Sequence, residues 1–406
     1  MHRLPPALLL LSLVACGSDE DPEVTFPTAK AELALANYKT VVNANYTDVV
    51  TSAQALQAAI DAFIAAPSAA TQDAAKNAWL AARLPYGPSE AFRFYDGPID
   101  DPTTGPEGQI NAWPLDENYI DYSRDDANSG IINRVAEVPA ITVEVIAKAN
   151  EAAGEKAIST GYHAIEFLLW GQDDATTGAG NGKRPFTDYV AGGSAANQTR
   201  RADYLKAAAQ LLVSDVQEVA NAWKPGVADN FAAKFGVTAS EGNAVQSAIG
   251  DLLKSLGSMA KAELSGERMT VAYKNRDQED EHSCFSDNTS VDLLGNALGI
   301  ENVWLGRYGA SDGVGLDEVV AEKDAALAAK TTADVAAAVA KLRVLADLQQ
   351  KSSTPLDVVI ASPDGSASRT AMLDAITATK LIGDDVEKAA VALGLKIELE
   401  EPSVEL

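Results

Sequence analysis

The stretch "TTADVAAAVAKLRVLADL", residues 331–348, decides the fold class of this 406-residue chain. Alanine, leucine, lysine and arginine dominate it, and these residue types have the highest intrinsic helix propensities. The helical period recurs elsewhere, since Leu56, Ile60 and Phe63 fall on one face of a helix. Alternating apolar and polar residues, which are typical of strands, are scarce. The sequence therefore predicts an all-α protein.

The length of the chain is sufficient for two helical-bundle-like domains. Composition changes around "KPGVADNFAAKFGVTASEG", residues 224–242, where glycine and proline interrupt the helical pattern. We therefore predict an N-terminal helical domain at 28–235 and a C-terminal helical domain at 236–406. No short repeat is present, but two halves of similar size are compatible with an ancient duplication and thus with pseudo-symmetry.

The first residues have the pattern of an export signal. Residues 1–15, "MHRLPPALLLLSLVA", combine a basic start with an apolar run that is too short to span a membrane. The segment "LVAC" resembles the lipobox at which a bacterial signal peptide is removed and the cysteine is acylated. We predict lipidation of Cys16 and a tether at 16–27; the alternative is an ordinary secretory signal. Gly17 after the cysteine favours the outer membrane of a bacterial cell envelope.

Charge and cysteine content narrow the possible partners. The formal net charge of −26 argues against binding to nucleic acid, whose phosphates require a basic surface. It favours cationic partners, or it serves solubility. If Cys16 is acylated, Cys284 has no second cysteine to pair with, so the fold depends on its core alone.

One histidine lies in an unusual position. In "STGYHAIEFLLWGQD", residues 159–173, His163 precedes Glu166 by three residues inside an apolar run. Residues three apart share a helix face, so the imidazole and the carboxylate project together. They would form half of a ligand set for iron, manganese or zinc. The alternative is a histidine that bonds its neighbour and packs in the core.

A second histidine lies among carboxylates. After removal of the leader only His163 and His282 remain, and His282 belongs to "DQEDEHSCFSDN", residues 277–288. Massed charge usually forms a solvated surface. Cys284 and Phe285 nevertheless prefer burial, and a buried carboxylate must be paired, protonated or metal-bound. Two histidines, both beside carboxylates, favour a metal site.

These residues carry a resemblance to the imelysin-like family. "GYHAIEFLLWGQD" matches its GxHxxE signature, and "AWLAARLPYGPSEAFRF", "INAWPLDENYIDY", "RRADYL" and "EDEHSCFSDNT" resemble its iron-regulated lipoprotein branch. The similarity runs from about residue 28 to about residue 395. It implies two α-helical domains, a role in iron acquisition, and a site at the domain interface that contains His163 and Glu166.

The family is catalogued with metallopeptidases, and this activity is an alternative function. Peptide hydrolysis by a metal needs protein ligands, an open position for water and a general base. The usual zinc motifs, HExxH and HxxEH, are absent, because Phe167 follows Glu166 where the second requires histidine. We rank binding of a metal ion or metal chelate above proteolysis. A structural or scaffold lipoprotein is the third possibility.

Further ligands follow from the resemblance and from ligand chemistry. Glu90 lies in one of the blocks that match the family, and a hard cation needs more oxygen donors than Glu166 supplies. The predicted metal ligands are therefore His163, Glu166, Glu90 and His282. Residues that would orient these ligands or contact a substrate are Arg83, Arg93, Asp116, Tyr122, Asp173, Glu279 and Asp287. The expected cofactor is a metal ion, with iron first and zinc or manganese as alternatives, and the expected partner is a transport protein of the outer or inner membrane.

Overall fold

The computed structural model describes residues 25–173, 181–237 and 243–404. The predicted signal peptide, Cys16 and most of the predicted tether lie outside these residues. About 66% of the chain is helical, which confirms the all-α prediction. Among the described residues, one antiparallel ladder pairs β1 (Arg307–Tyr308) with β2 (Ser311–Asp312). No helix in the described part of the chain is both long and apolar enough to span a membrane.

The helices are numbered in chain order. They are α1 (Thr28–Ala65), α2 (Ala69–Ser89), α3 (Glu107–Ile110), α4 (Glu117–Ile120), α5 (Gly130–Asn133), α6 (Val143–Ala149), α7 (Gly161–Trp170), α8 (Gln198–Trp223), α9 (Phe231–Lys234), α10 (Ala244–Ser258), α11 (Val271–Asn275), α12 (Thr289–Trp304), α13 (Leu316–Ala321), α14 (Ala325–Ser352), α15 (Leu356–Ala361) and α16 (Ala367–Ala392). Short 3₁₀ turns cover Glu90–Phe92, Phe186–Tyr189 and Gln278–Asp280, and a π-helix covers Met259–Thr270.

The long helices pack in two groups. Helix α1 packs against α2 and α8, and α7 packs between α2 and α8. Later in the chain, α14 packs against α12 and α16, and α16 also contacts α10 and the π-helix. Helices from both sides of residue 235 also touch, since α1 contacts α10 and α2 contacts α12. The boundary between 28–235 and 236–406, and the pseudo-symmetry, remain predictions.

The contact between α2 and α12 brings two backbones together. A side chain added at Gly299 would lie 2.3 Å from the carbonyl oxygen of Pro88. One added at Gly295 would lie 3.2 Å from the Cα atom of Gly87. Small residues are required where helices approach this closely, because any larger side chain overpacks the contact. Arg83 on α2 and Asp292 on α12 belong to the same interface, and both are buried.

Candidate metal centre

Helix α7 carries the first predicted pair and is enclosed on all sides. Every one of its ten residues is buried. Gly161 begins the helix with φ +80°, and a Cβ atom there would lie 2.4 Å from the carbonyl oxygen of Ile110. Only glycine combines this conformation with this close approach at low cost. The glycine therefore determines how α7 sits against the segment around residue 110.

His163 and Glu166 contact each other, as their three-residue spacing predicts. The distance between His163 Nδ1 and Glu166 Oε2 is 3.0 Å, and both side chains are buried. The other carboxylate oxygen accepts two hydrogen bonds from Ser286, one from its backbone N–H at 2.9 Å and one from its hydroxyl at 2.7 Å. Ser286 lies five residues after Glu281, in the loop that precedes α12. The pair is thus tied to the segment that carries the second histidine.

His282 lies directly beside His163. Their ring centroids are 4.7 Å apart, with an edge-to-face angle of 74°. Asn111 Nδ2 donates to His282 Nε2 at 3.4 Å, and His282 Nδ1 lies 3.6 Å from Asp292 Oδ2. The fold therefore brings together the two histidines of the described chain, which lie 119 residues apart in sequence.

The free nitrogen of His163 is the feature that fits a metal. When Glu166 is ionised, His163 donates its Nδ1–H to the carboxylate, and Nε2 carries a lone pair. That Nε2 atom is buried and has no hydrogen-bond partner. A carboxylate that fixes the ring and tautomer of a histidine is the usual support behind a metal-ligating imidazole. The geometry places Glu166 where it would orient His163, with Nε2 as the atom that would ligate a metal.

Burial keeps both imidazoles neutral. It lowers the pKa of His163 to about 3, and Arg83 adds to the effect. Burial also lowers the pKa of His282 well below its usual value, with Arg268 and His163 adding to the shift. Burial raises the pKa of Glu166 to about 8, against the hydrogen bonds from Ser286. Neutral imidazole is the form that binds metals, and both rings are uncharged at neutral pH.

Glu90 lies near the histidines but is already paired. Its Oε2 atom accepts from Arg268 at 2.6 Å and from Arg93 at 3.0 Å, while Oε1 accepts from Asn111 at 3.4 Å. Burial alone would raise the pKa of Glu90, but the charges of Arg268 and Arg93 hold it well below its usual value. A carboxylate with two guanidinium partners has little negative charge left for a cation. Glu90 is thus positioned in an ion-pair network beside the histidine pair.

The π-helix places Arg268 in this network. In a π-helix, residues five apart lie above one another, because the hydrogen bonds run from i to i+5. Arg268 accordingly contacts Glu263, with Nη2 2.7 Å from Oε1. Thr270 likewise donates its hydroxyl hydrogen to the carbonyl oxygen of Ser265 at 2.7 Å. An α-helix would turn residues five apart onto different faces, and π-helices are often found at functional sites.

Arg83, predicted to orient ligands, connects two residues that sequence reasoning missed. Its Nε atom donates to Asp292 Oδ1 at 3.1 Å, and its Nη1 atom donates to Asn111 Oδ1 at 2.6 Å. Asp292 also accepts from Ser283 at 2.5 Å and from Asn288 at 3.1 Å. Since Asn111 and Asp292 flank the ring of His282, Arg83 fixes the position of that imidazole through them.

The remaining predicted residues lie in different surroundings. Arg93 bridges Glu90 to Glu107, with 3.2 Å between Nη1 and Oε1 of the latter. Asp116 is exposed and caps α4 by accepting from the N–H of Asn118, so it acts as a helix cap. Tyr122 donates to Asp188 at 2.5 Å, in a separate buried cluster built around Asp121, Arg184 and Arg201. Glu279 is exposed in the 3₁₀ turn.

The donor atoms of the four predicted ligands do not converge on one point. In the residues that the structure describes, three donor atoms lie within 4.8 Å of one another at Asp173, Asp287 and Asp357. His163, His282, Glu166 and Glu90 form no such group. The reason is that hydrogen bonds and ion pairs already hold both carboxylates. For a metal, the histidine pair would offer two imidazole ligands, and the other coordination positions would fall to water or to a chelator.

The pair predicts a pH dependence of the metal-free protein. The pKa of Glu166 is about 8 in the folded chain and about 4.3 in an unfolded one, so folding retains a proton between these values. The protonated Glu166 side chain contributes fully to the free energy of unfolding below the lower pKa. This contribution is lost as pH rises towards 8, by at most about 1.4 kcal/mol per pH unit. Urea unfolding of wild type and Glu166→Gln at about pH 6.5 and about pH 8 should show the variant losing less stability. An equal loss in both proteins would contradict the raised pKa.

Comparisons with known proteins agree with this architecture. The model of the imelysin peptidase family matches residues 42–381. Iron-regulated protein A of Synechococcus elongatus is 24% identical over 362 residues, which cover 87% of this chain and 83% of that protein. A crystal structure of a candidate iron-regulated protein A precursor from Parabacteroides distasonis superposes with a TM-score of 0.70 at 19% identity. It covers 91% of this chain and 97% of the other, and it shows that the two share a fold.

Proposed function

Because this chain belongs to the imelysin family, we propose that it binds iron, or a related metal, outside the cytoplasm for iron acquisition. The site is the buried pair His163 and His282 with its supporting residues. The observation that carries the proposal is the 4.7 Å approach of the two rings, with a buried, unpartnered Nε2 on His163. Two neutral imidazoles suit iron, zinc and manganese alike, and the name of the relative from Synechococcus elongatus favours iron.

The protein would hold the metal through a small number of direct ligands. His163 would ligate through Nε2, and Glu166 would fix its ring from the other side. His282 would ligate through Nε2 once Asn111 releases it, with Asp292 facing Nδ1. Glu90 would contribute an oxygen only if the arginines beside it shift. A donor set this small favours a metal that arrives with ligands of its own, as a chelate.

Metal binding should also release a proton from the pair. Glu166 must be ionised for His163 to present its Nε2 lone pair, and burial raises the pKa of Glu166 to about 8 in the metal-free protein. Metal and proton therefore compete, and affinity should increase with pH up to that value. This competition would favour release of the metal in an acidified environment.

Metallopeptidase activity has less support. A peptidase needs a base that can reach a metal-bound water. Glu166 is the carboxylate nearest to His163, but Ser286 and His163 already occupy its two oxygens.

Attachment through Cys16 to the outer membrane and delivery of the metal to a membrane transport protein complete the proposal. Cys16 lies outside the described residues.

The deciding experiment is metal analysis of protein purified without a histidine tag or chelators. We expect close to one metal per chain in the wild type. The proposed site has two imidazole ligands, and His163→Ala removes one of them. This variant should therefore lose its bound metal. Glu166→Gln should weaken binding about 10–100-fold, because it removes the carboxylate behind the ligand. Asp116→Asn, which changes an exposed carboxylate, is the matched control and should bind normally.

Other outcomes separate the alternatives. Chelator-sensitive cleavage of an unfolded substrate, lost in His163→Ala, would favour the peptidase. Absence of metal from the wild type, with His163→Ala lowering the melting temperature equally with and without added iron, would overturn the proposal. The pair would then be structural.

A further inference from the structure

Three aspartates meet at a place distinct from the histidine pair. Asp173 follows the end of α7, Asp287 lies in the loop before α12, and Asp357 lies in the first turn of α15. One carboxylate oxygen from each lies within 4.8 Å of the other two. We call this group the aspartate triad. Its members come from three segments that are remote in sequence, so the tertiary fold alone brings them together.

Asp357 is the member whose burial calls for a ligand. Asp357 is only 6% exposed to solvent, and neither of its carboxylate oxygens has a hydrogen-bond partner. Its neighbours Leu356, Val359 and Ile360 are buried as well. A buried carboxylate without a hydrogen-bond donor destabilises the fold by roughly several kcal/mol, unless it is protonated or binds a cation. The orphaned oxygens belong to the triad itself and therefore point to a cation there.

A fourth buried acidic group interacts with the triad. Glu281 is 1% exposed, and its Oε1 atom has no hydrogen-bond partner. Its carboxyl group interacts electrostatically with Asp357, Asp287 and Asp173. Like charges at this separation repel strongly in a buried setting. A divalent cation would remove that repulsion.

We infer that the aspartate triad binds a hard divalent cation, with Ca²⁺ as the best fit, at a site separate from the histidine pair. Its donors are all oxygens, which suit Ca²⁺, Mg²⁺ or Mn²⁺ and disfavour metals that require nitrogen or sulfur. Asp173 and Asp287 lie on irregular backbone, and Ca²⁺ tolerates variable ligand geometry better than Mg²⁺ does. The cation would join the loop that carries His282 to the end of α7 and to α15.

The role of this cation would be to hold the metal centre in place. Asp173 lies seven residues after Glu166, and Asp287 follows Ser286, the donor to Glu166. A cation in the triad would therefore fix both sides of the contact between α7 and the loop. Its loss would loosen that contact without removing any ligand of the histidine pair.

The test compares melting temperatures of the mature chain in EDTA and in millimolar Ca²⁺, with calorimetric titration of Ca²⁺. We expect Ca²⁺ to raise the wild-type melting temperature. Asp357→Asn should weaken Ca²⁺ binding at least tenfold and should also raise the melting temperature in EDTA, because it removes one repelling charge. Asp287→Asn is a second variant that keeps the backbone, since residue 287 has φ +59° and asparagine adopts that conformation readily.

The controls separate this site from the histidine pair. Asp215→Asn neutralises another buried aspartate, 7% exposed with an unpartnered Oδ2, and should leave the Ca²⁺ response unchanged. His163→Ala should also retain the Ca²⁺ response, whatever it does to iron binding. The inference is overturned if Ca²⁺ and Mg²⁺ neither bind nor raise the melting temperature. It is equally overturned if both triad variants respond to Ca²⁺ like the wild type.

Discussion

Arg268→Ala is expected to lower the free energy of unfolding by about 3–5 kcal/mol, because it leaves a buried charge without its main partner. Glu90 is fully buried, and Arg268 lies 2.6 Å from its carboxylate. The same arginine donates to Asn296 at 2.9 Å and to Glu263. Its removal therefore leaves the Glu90 carboxylate and the Asn296 side-chain oxygen each with one hydrogen-bond donor fewer. Urea unfolding at neutral pH measures the loss.

Two further variants make this prediction specific. Arg93 is the other partner of Glu90, but its side chain is 14% exposed, so Arg93→Ala should cost less than Arg268→Ala. Adding Glu90→Gln to Arg268→Ala should recover part of the stability, since it neutralises the stranded carboxylate. A loss below about 1 kcal/mol for Arg268→Ala would show that water enters and solvates Glu90.

Gly161→Ala is expected to destabilise the protein by about 3 kcal/mol and to weaken metal binding. The residue has φ +80°, and its new methyl group would lie 2.4 Å from the carbonyl oxygen of Ile110. To relieve this clash, the segment at 109–111 must move. Asn111 would move with it, away from Arg83 and His282, which it contacts at 2.6 Å and 3.4 Å. Thermal unfolding and metal titration measure the two effects.

Gly226→Ala provides the matched control. Gly226 also has a positive φ, +73°, but an added Cβ would meet nothing within 4 Å. It should show only the conformational cost, about 1–2 kcal/mol, and normal metal binding. If both glycine variants behave alike, the approach of residue 161 to Ile110 does not position the site.

The fold class could be predicted because local signals agree with the global structure. Residues 331–348 lie within α14, and the apolar face formed by Leu56, Ile60 and Phe63 is buried in α1. Helical periodicity depends on neighbouring residues alone, so it is visible in sequence. The order in which these helices pack depends on long-range contacts such as the close approach of Gly299 to Pro88, for which periodicity offers no signal.

Only part of the candidate site was accessible in the same way. His163 and Glu166 stood out because ionisable groups are rare in apolar runs, and His282 stood out as the second histidine beside carboxylates. Asn111 and Ser286 are common polar residues in loops, and their role arises only once the chain has folded. A weak signal did exist for α12, where Asp292 and Asn296 lie four residues apart in a largely apolar helix and so share its buried face.

The role of Glu90 could not be predicted, because its partner depends on an irregular helix. Sequence patterns place residues at 100° intervals, which is the spacing of an α-helix. The segment Met259–Thr270 is π-helical, so that spacing misplaces Arg268. Without knowledge of that pairing, Glu90 has the pattern of an available oxygen ligand. The structure shows a carboxylate that arginine has already neutralised.

The π-helix also determines where this chain can tolerate a change in length. A π-turn is what an α-helix forms when it accommodates an additional residue. Deletion of one residue between 259 and 270 would let the segment revert towards α-helix, which changes the angular position of the side chains within the segment. The guanidinium would then leave the carboxylate at position 90. Relatives that lack one residue in the segment equivalent to 259–270 should therefore carry an uncharged residue at the position equivalent to Glu90. The additional residue and the glutamate should occur together.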